Sequence, residues 1–388
     1  MEPRALGDKT VFRTGFGIYH GDFQLDDQNL PISNEVERYS LSLATIPSLS
    51  YPIAPFLAST SGIVSPRDMN RLRKDMYVTQ WGASIEEMLP GSVLATVGYV
   101  GSKGTHLLTT SYINLIDPIR GTRPYPKFGQ VEYRGNNSDS SFQALQVSAR
   151  RAFEHGISFS LNYLWSHEID DDSLGGGDAD FPANPNCIPC DRASGDFDAR
   201  HVLNANAIYQ LPFGAGHLWL SQPGITRALL GAWEVTSIVA ARTGLPVNVT
   251  VDRSTSALPD GDANNTRPSL VPGVPLKPVG GPSIAEWINP TAFTIPAHGT
   301  YGDAGRNLVR APGLWQADAG IGKRIEITER MRIEVRGEVF NLFNRAQYGI
   351  PGADFSGGNF GSITSTVNTG STGTGTPRQI QFMLRLDF

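Results

Sequence analysis

The sequence predicts an all-β fold, namely an antiparallel transmembrane β-barrel segment of about ten up-and-down strands. Three observations lead to this prediction. The chain ends in a long strand pattern with one apolar side, the same two-residue period recurs along the chain, and short connections alternate with long ones. We take these observations in turn.

The last eleven residues, Arg378 to Phe388, carry the clearest pattern. A two-residue period predicts a strand with one apolar face and one polar face. In water, such an apolar strand would promote aggregation, whereas in a membrane barrel one face meets lipid and the other a polar lumen. The apolar positions are Ile380, Phe382, Leu384, Leu386 and Phe388, the polar ones are Gln379, Gln381, Arg385 and Asp387, and Met383 breaks the alternation.

The composition is compatible with a barrel and excludes two other classes. The 388 residues are 40% hydrophobic and 18% charged, and no run approaches the roughly 18 apolar residues of a membrane helix. The net charge of −5 argues against a nucleic-acid partner. The 42 glycines and 27 prolines fit a protein rich in turns.

Ten segments have roughly the length of a strand that crosses an outer membrane. Alternation is clearest from Ile157 to Ser166 and from Met331 to Val339, where Arg332, Glu334, Arg336 and Glu338 share one side. The predicted strands lie near 10–20, 74–88, 92–103, 141–153, 157–168, 201–211, 232–242, 314–327, 330–341 and 378–388.

The connections between these strands alternate in length, which places all long loops at one end of the sheet. The short turns are Met88–Gly91, Phe153–Gly156 and Thr328–Glu329, and the connection 212–231 is an exception because it is longer than its place in the order predicts. We expect one domain over 1–388, with long extracellular loops near 21–73, 104–140, 169–200, 243–313 and 342–377.

Aromatic residues at strand ends give weaker support, since aromatics favour both membrane interfaces and strands in general. Lys323 contradicts the pattern, because it lies between Ile321 and Ile325 on the side predicted to face lipid. The aromatic positions are Tyr77, Trp81, Tyr99, Tyr163, Trp165, Tyr209, Trp233 and Phe388.

Six motifs, in order, resemble the C-terminal β-barrel portion of a TonB-dependent outer-membrane receptor. The resemblance covers roughly Phe12 to Phe388 and is closest to the acidobacterial group, whose full-length members begin with a carboxypeptidase-regulatory-like domain. The motifs are Tyr99-Val-Gly-Ser-Lys-Gly-Thr-His-Leu107, Leu161-Asn-Tyr-Leu-Trp-Ser-His167, Asp196-Phe-Asp-Ala-Arg-His201, Tyr209-Gln-Leu-Pro-Phe-Gly214, Gly302-Asp-Ala-Gly-Arg-Asn307 and Arg336-Gly-Glu-Val-Phe-Asn-Leu-Phe-Asn344.

The resemblance implies a receptor of about 22 strands with an internal plug and a TonB-contacting box. Plug, box and secretion signal are not recognisable in this sequence, so we expect a truncated distal half that is inactive by itself. The implied partners are outer-membrane lipid, the barrel-assembly machinery, TonB through the missing plug and box, and an unknown small-molecule or oligosaccharide ligand. The implied location is the outer membrane of a Gram-negative bacterium.

Two loop features have more than one interpretation. Cys187 and Cys190 could form a redox pair, half a metal site or a local disulfide, and the disulfide is favoured. Clustered carboxylates in the same loop could bind calcium, but solvated loop charge is favoured. That cluster comprises Asp170, Asp171, Asp172, Asp178, Asp180 and Asp191, and a weaker calcium-loop match begins at Asp260-Gly-Asp-Ala-Asn264.

The remaining candidates indicate structure rather than chemistry. The charged side of the strand near 330–341 could grip a plug or line a pore, but pairing with Arg324 and Glu326 across the sheet is the simpler interpretation. His201 is expected to cap a strand, and Gly361–Thr376 to form a mobile outside loop. We therefore expect no enzyme, and no catalytic, cofactor-binding or metal residues.

The function that the resemblance implies is uptake of a scarce solute such as an iron complex, a cobalamin or an oligosaccharide. A passive pore or adhesin-like surface barrel is the alternative within the membrane class. A soluble β-rich carbohydrate-binding domain is a third possibility from another class, and the apolar face of the last strand argues against it.

Overall fold

The fold is a large antiparallel sheet with folded loops at one end. A computed structural model describes residues 9–21, 65–173, 181–214, 219–220, 222, 224–261, 266–328, 331–368 and 374–388. The long strands are β1 (Thr10–His20), β3 (Tyr77–Leu89), β4 (Val93–Ile113), β5 (Val131–Glu154), β6 (Ile157–Asp170), β8 (His201–Gln210), β9 (Trp233–Arg242), β14 (Leu314–Glu326), β15 (Arg332–Phe340) and β16 (Gln379–Asp387).

Short elements occupy the connections. The short strands are β2 (Arg67–Met69), β7 (Ala193–Ser194), β10 (Pro246–Val247), β11 (Ser269–Leu270), β12 (Phe293–Thr294) and β13 (Val309–Arg310). The helical elements are the α-helix α1 (Ile225–Leu230) and the 3-10 helices Ile188–Asp191, Thr255–Ala257 and Pro290–Ala292. Among the described residues, no helix has the length and apolar character needed to cross a membrane.

The long strands are hydrogen-bonded in chain order, β1-β3-β4-β5-β6-β8-β9-β14-β15-β16, and every neighbouring pair is antiparallel. Strand β2 adds to β5 and β7 to β6, which gives twelve strands in all. The ten predicted strands and their up-and-down order are therefore confirmed. Within the described residues β1 and β16 do not pair, so the sheet is open and has the form of a partial barrel.

The predicted loop 104–140 is wrong in its bounds. Strand β4 continues to Ile113 and β5 already begins at Val131, so only 114–130 connects them. Sequence alternation fails here because the pairing contains register shifts between Gly104 and Thr109, and because polar residues fill the added strand. Several of those residues are buried, namely Thr109, Thr110, Arg134, Asn136 and Ser138, and Asn136 also donates to the backbone oxygen of Lys74.

The strand register sorts the sheet into two faces. One row across five strands contains Tyr209, Val235, Ile321, Gly337 and Phe382, and we call this side the apolar face. The next row contains Gln210, Glu234, Gly322 and Arg336, and we call this side the polar face. On the apolar face Phe382 is 85% exposed and Leu384 is 76% exposed. Among the described residues, many large apolar side chains on this face remain exposed.

The hydrophobic core lies in the loops rather than beneath the sheet. Its buried members are Val247, Val249, Ile288, Ala292, Phe293, Val309 and Ala311. Phe355 and Phe360 pack on Phe293 with ring centroids 6.1 and 5.6 Å away. We use the term long-loop assembly for the described residues of 114–130, 171–200, 243–313 and 341–378, which contact one another at one end of the sheet.

Candidate functional site

The centre of the long-loop assembly is a buried ion pair between Arg306 and Asp170, whose side chains are each 2% exposed. The Arg306 guanidinium also donates to the backbone oxygens of Asp170 and Asp191 at 2.9 and 3.0 Å and to Ser173 Oγ at 3.0 Å. Asn307 Nδ2 donates to Asp196 Oδ1 at 2.6 Å. A buried guanidinium with this many partners fixes two distant loops against each other.

A second group of charges surrounds Asp198. Its carboxylate pairs with Arg310 and, at 2.9 Å, with Arg200, and it accepts a 2.9 Å hydrogen bond from the Glu168 backbone N–H. His167 Nδ1 lies 3.3 Å away. Burial alone would raise the pKa of Asp198, but the hydrogen bonds from Arg310 and Glu168 outweigh it, so the pKa lies below its ordinary value.

Asp191 links a third loop segment to the same assembly. Arg267 pairs with it at 2.9 Å, and the Ala183 backbone N–H donates to it at 3.0 Å. Asp191 ends the 3-10 helix that contains Cys190, and Cys190 is joined to Cys187 by a disulfide. The favoured interpretation of the cysteine pair therefore agrees with the structure.

The prediction of solvated carboxylates in this loop is wrong for three of its members. Asp170, Asp171 and Asp191 are 2%, 7% and 4% exposed, because each is paired with an arginine. Sequence composition suggested free charge because those partner arginines come from elsewhere in the chain or lie outside the acidic run. Asp172 is half-buried, and Asp178 and Asp180 lie outside the described residues. Within the described residues, no group of three or more His, Cys, Asp and Glu side chains is placed to hold a metal ion.

The weaker calcium-loop candidate also contributes to packing. Asp260 is 3% exposed, accepts a hydrogen bond from the Tyr301 hydroxyl and presents its backbone oxygen to the Ile116 N–H at 2.9 Å. It thereby joins 114–130 to the rest of the long-loop assembly. The other potential ligands of that motif, Asp262 and Asn264, lie outside the described residues.

The segment Gly361–Thr376 is anchored at both of its ends, contrary to the expectation of a wholly mobile loop, whereas residues 364–367 between them are exposed. The Gly361 carbonyl accepts the Trp287 and Ile288 backbone N–H groups at 2.6 and 3.3 Å, and Thr376 is 1% exposed. Low side-chain complexity predicted mobility, but here backbone hydrogen bonds and close approach hold the chain. The part 369–373 lies outside the described residues.

A pocket of about 350 Å³ opens between two loops of the assembly. It lies where 243–313 and 341–378 leave the sheet, next to Arg242 at the end of β9. Its wall combines aliphatic groups, two hydroxyls and one phenol, and its lining includes Leu245, Pro312, Tyr348, Ile350, Ser365 and Thr366. This mixture suits a small solute that has both apolar and hydrogen-bonding parts.

The polar face of the sheet carries an ion-pair ladder. Glu334, only 9% exposed, accepts from Arg336 at 2.7 Å and lies 3.8 Å from Arg324 on β14. Arg336 also reaches Glu338 at 3.5 Å. The predicted pairing between Arg324 and the β15 charges is confirmed, and it satisfies charged groups on the wall. A smaller pocket of about 150 Å³ adjoins Glu234, Glu334 and Arg336.

Lys323 does lie on the apolar face, but it is only 8% exposed. Its ammonium donates to the backbone oxygens of Ala228 and Leu229, the latter at 3.0 Å, and lies 5.5 Å from the centre of the Trp233 ring. The residue therefore fits the face because α1 covers its charge. His201 begins β8, as expected, and its Nδ1 lies 2.8 Å from the Tyr163 hydroxyl.

Two of the central groups lie inside separate sequence motifs, which sequence reasoning alone did not join. Asp198 and Arg306 belong to the motifs Asp196–His201 and Gly302–Asn307, whereas Arg267 and Arg310 were not singled out. The glycine that opens the second motif has a steric role, because a Cβ at Gly302 would clash with the backbone oxygen of Arg267. The two motifs are neighbours in space, because Asn307 and Arg306 of one contact Asp196 of the other, and their co-occurrence is the one sequence signal that could have revealed the contact.

Comparison with solved structures identifies a similar fold in an outer membrane transporter. The outer membrane transporter YddB from Escherichia coli aligns with a TM-score of 0.52 at 11% identity, over 97% of this chain and 38% of that one. FpvA of Pseudomonas aeruginosa, in complex with a heterologous pyoverdine and iron, aligns with a TM-score of 0.46 at 10% identity, over 99% of this chain and 31% of that one. The ferric-catecholate import receptor Fiu from E. coli K12 aligns with a TM-score of 0.41 at 11% identity, over 98% of this chain and 33% of that one. The chain thus spans about a third of the length of these structures.

No curated protein sequence matches the chain. The family model described as "Outer membrane beta barrel domain" matches residues 3–381, which is nearly the whole sequence. This match agrees with the two-faced antiparallel sheet and with its exposed apolar face. The protein therefore belongs to the outer membrane beta barrel domain family and is located in the outer membrane of a Gram-negative bacterium.

Proposed function

We propose that the chain forms part of the barrel wall and outer loops of a TonB-dependent receptor that takes up a scarce solute. The solute classes are an iron complex, a cobalamin or an oligosaccharide. We further propose that the receptor is of the acidobacterial type, on the basis of the six ordered motifs from Tyr99 to Asn344. The complete barrel would include strands beyond those of this chain.

The observation that supports this proposal best is the long-loop assembly itself. Loops that only connect strands have no need of a hydrophobic core or of a buried ion pair such as Arg306–Asp170. Ordered loops at one end of a polar-walled sheet provide a fixed surface on which a solute binds before it passes along the polar face. Their pocket beside Arg242 and Tyr348 offers both apolar and hydrogen-bonding groups.

The resemblance to known proteins supports transport as the activity. The E. coli structure that shares the fold is described as an outer membrane transporter. In the proposed receptor, TonB would act through a plug domain inside the barrel. The barrel-assembly machinery would recognise the last strand, β16, in which apolar and polar residues alternate.

The proposal is tested by uptake in the native bacterium. Deletion of the gene should reduce uptake of one labelled solute among ferric chelates, cobalamin and oligosaccharides, and the intact gene should restore it. A protonophore, which removes the energy that TonB transmits, should abolish the restored uptake. Uptake that persists with the protonophore would instead identify a passive pore, and unchanged uptake of all three classes after deletion would contradict a role in their transport.

The loops are tested with matched variants in the same assay. Arg306→Met should reduce the affinity for the solute, because it removes the charge that holds 171–200 against 243–313. Arg120→Met is the control, since Arg120 is 82% exposed in an outer loop and forms a long, exposed pair with Asp117 at 3.7 Å. Equal uptake by the two variants at limiting solute concentration would argue against solute binding by the long-loop assembly.

A further inference from the structure

We propose that the short helix α1 and Trp219 before it form a membrane-surface anchor, seated in the headgroup region of the phospholipid leaflet at the short-turn end of the sheet. The partner is the lipid leaflet, and the inference does not depend on the solute that is transported. Four observations on the described residues support it. They are the end of the sheet at which α1 lies, the face of the sheet on which it lies, its exposed side chains, and the continuity of those side chains with the lipid-facing surface.

The helix lies at the end of the sheet opposite the long-loop assembly. It belongs to the connection between β8 and β9, and β8 ends beside the turn that contains Gly156, whose oxygen accepts the Gln210 N–H at 2.7 Å. In bacterial barrels the short turns face the periplasm. The nearest lipid is therefore the inner, periplasmic leaflet of the outer membrane.

The helix lies outside the barrel wall, on the apolar face. Lys323 and Trp233 are register partners on that face, and both donate to the Leu229 carbonyl, at 3.0 and 2.9 Å. Lys323 also donates to the Ala228 carbonyl. A cation at the last carbonyls of a helix is favourable, and these carbonyls would otherwise lack partners near lipid. The contact thus removes a charge from the lipid-facing wall and fixes the helix on it.

The large side chains that this element exposes are apolar. Ile225, Leu229 and Leu230 are 81%, 64% and 54% exposed, and Trp219 is 58% exposed. Trp219 packs against Phe213 with ring centroids 5.5 Å apart, and Arg227 lies on the same helix. Apolar side chains combined with tryptophan and basic residues are typical of segments that lie at the membrane surface.

The exposed side chains continue the lipid-facing surface rather than forming a separate patch. Their helix is bonded directly to Lys323 and Trp233, and the neighbouring residue Ile321, on the same face of β14, is 46% exposed. Since this face meets hydrocarbon in an outer membrane barrel, the element beside it at the strand ends lies at the hydrocarbon boundary. Lipid is therefore the occupant that the surroundings favour over a protein partner.

Spin labelling tests the location of α1. A nitroxide attached at Leu229→Cys leaves the Leu229 carbonyl in place, and the native cysteines are held in a disulfide and do not react. Collision rates with oxygen and with a water-soluble nickel chelate would be measured on the protein in outer-membrane vesicles. Leu384→Cys serves as the lipid-facing reference and Val279→Cys, at a site 94% exposed in the long-loop assembly, as the aqueous reference.

The expected result for position 229 is intermediate. The label should lie roughly 5–10 Å below the phosphate level, shallower than position 384 and clearly protected from nickel relative to position 279. A label as accessible to nickel as position 279 would place the helix in periplasmic water and overturn the proposal. A label that is immobile and reached by neither reagent would show a protein partner, which also overturns it.

A second pair of variants tests the role of Lys323 in seating the helix. Lys323→Met removes the ammonium group that binds α1, so the label at position 229 should become more mobile and more accessible to nickel. Lys323→Arg keeps a donor and should retain the original depth. A comparable depth in both variants would show that the lysine does not hold α1 at the membrane surface.

Discussion

Arg306 and Asp170 are 136 residues apart in the sequence, yet they form an ion pair that is almost completely buried. Around them, arginines from 243–313 reach aspartates of 170–198, and the two loops behave as one folded unit. Because the pair is shielded from water, both members depend on each other, and loss of either one leaves an uncompensated charge.

Removal of one member should therefore loosen the long-loop assembly. Asp170→Asn is expected to destabilise it by about 3–5 kcal/mol, as is usual when a buried ion pair is broken. The measurement is the rate of trypsin cleavage within 171–200 and 243–313. Asp139→Asn, which breaks the exposed pair with Lys103, should cost only ~0–1 kcal/mol, and equal cleavage of both variants would contradict the buried role of Asp170.

The link between Asp198 and Arg310 should persist at neutral and mildly acidic pH and be lost only in acid. The pKa of folded Asp198 lies below its ordinary value, so the stabilisation is fully present above the unfolded pKa of about 3.9 and disappears as the pH falls through the lower folded pKa. Hydrogen exchange of 195–200, measured across an acid series and corrected for intrinsic exchange, should show this transition. Asp198→Asn should remove it, and an unchanged profile would assign the transition to another group.

The aromatic core of the loops should be as sensitive as the core of a soluble domain. Phe293 is 4% exposed and packs against Phe355 and Phe360, so Phe293→Ala is expected to cost about 3–5 kcal/mol. The readout is the urea concentration at which 243–313 loses protection from protease. Phe128→Ala, at a loop position 45% exposed, is the control and should shift that midpoint little. Similar shifts for both would mean that the loops lack a cooperative core.

Adjacent residues on the last strand should respond in opposite ways to a charge. Leu384 points to lipid and Met383 to the polar face, beside Val335 and Arg336 respectively. Leu384→Arg should destabilise the protein by up to ~2–4 kcal/mol, depending on its depth in the bilayer, whereas Met383→Arg should be tolerated. Heat-modified mobility on gels, which separates folded from unfolded barrel, measures the difference. A reversed order would invert the assignment of the two faces.

The strands were predictable because their signal is local. The alternation of apolar and polar residues in segments such as 157–166 and 378–388 depends only on which side of a pleated strand contacts lipid. The two faces of each strand can therefore be assigned from that segment alone. The prediction failed at 104–113 and 131–140, where the register shifts and several polar residues of the added strand are buried. There, burial depends on tertiary contacts, so it does not appear as a two-residue period in the sequence.

The loops were not predictable for a related reason. The acidic run after β6 was interpreted as solvated, because its arginine partners at 267 and 306 lie far along the chain. Lys323 looked misplaced until α1 supplied the carbonyls that bind it. In each case the charge and its partner belong to different segments.

The sequence by itself determined the two-faced sheet, its strand order and the end at which the long loops gather, because periodicity and loop length are properties of consecutive residues. Only the tertiary structure decided that those loops form a cored assembly joined by buried ion pairs, and that Lys323 binds α1. Burial and charge pairing arise between residues brought together by folding, and the residues that interact have no fixed spacing along the chain.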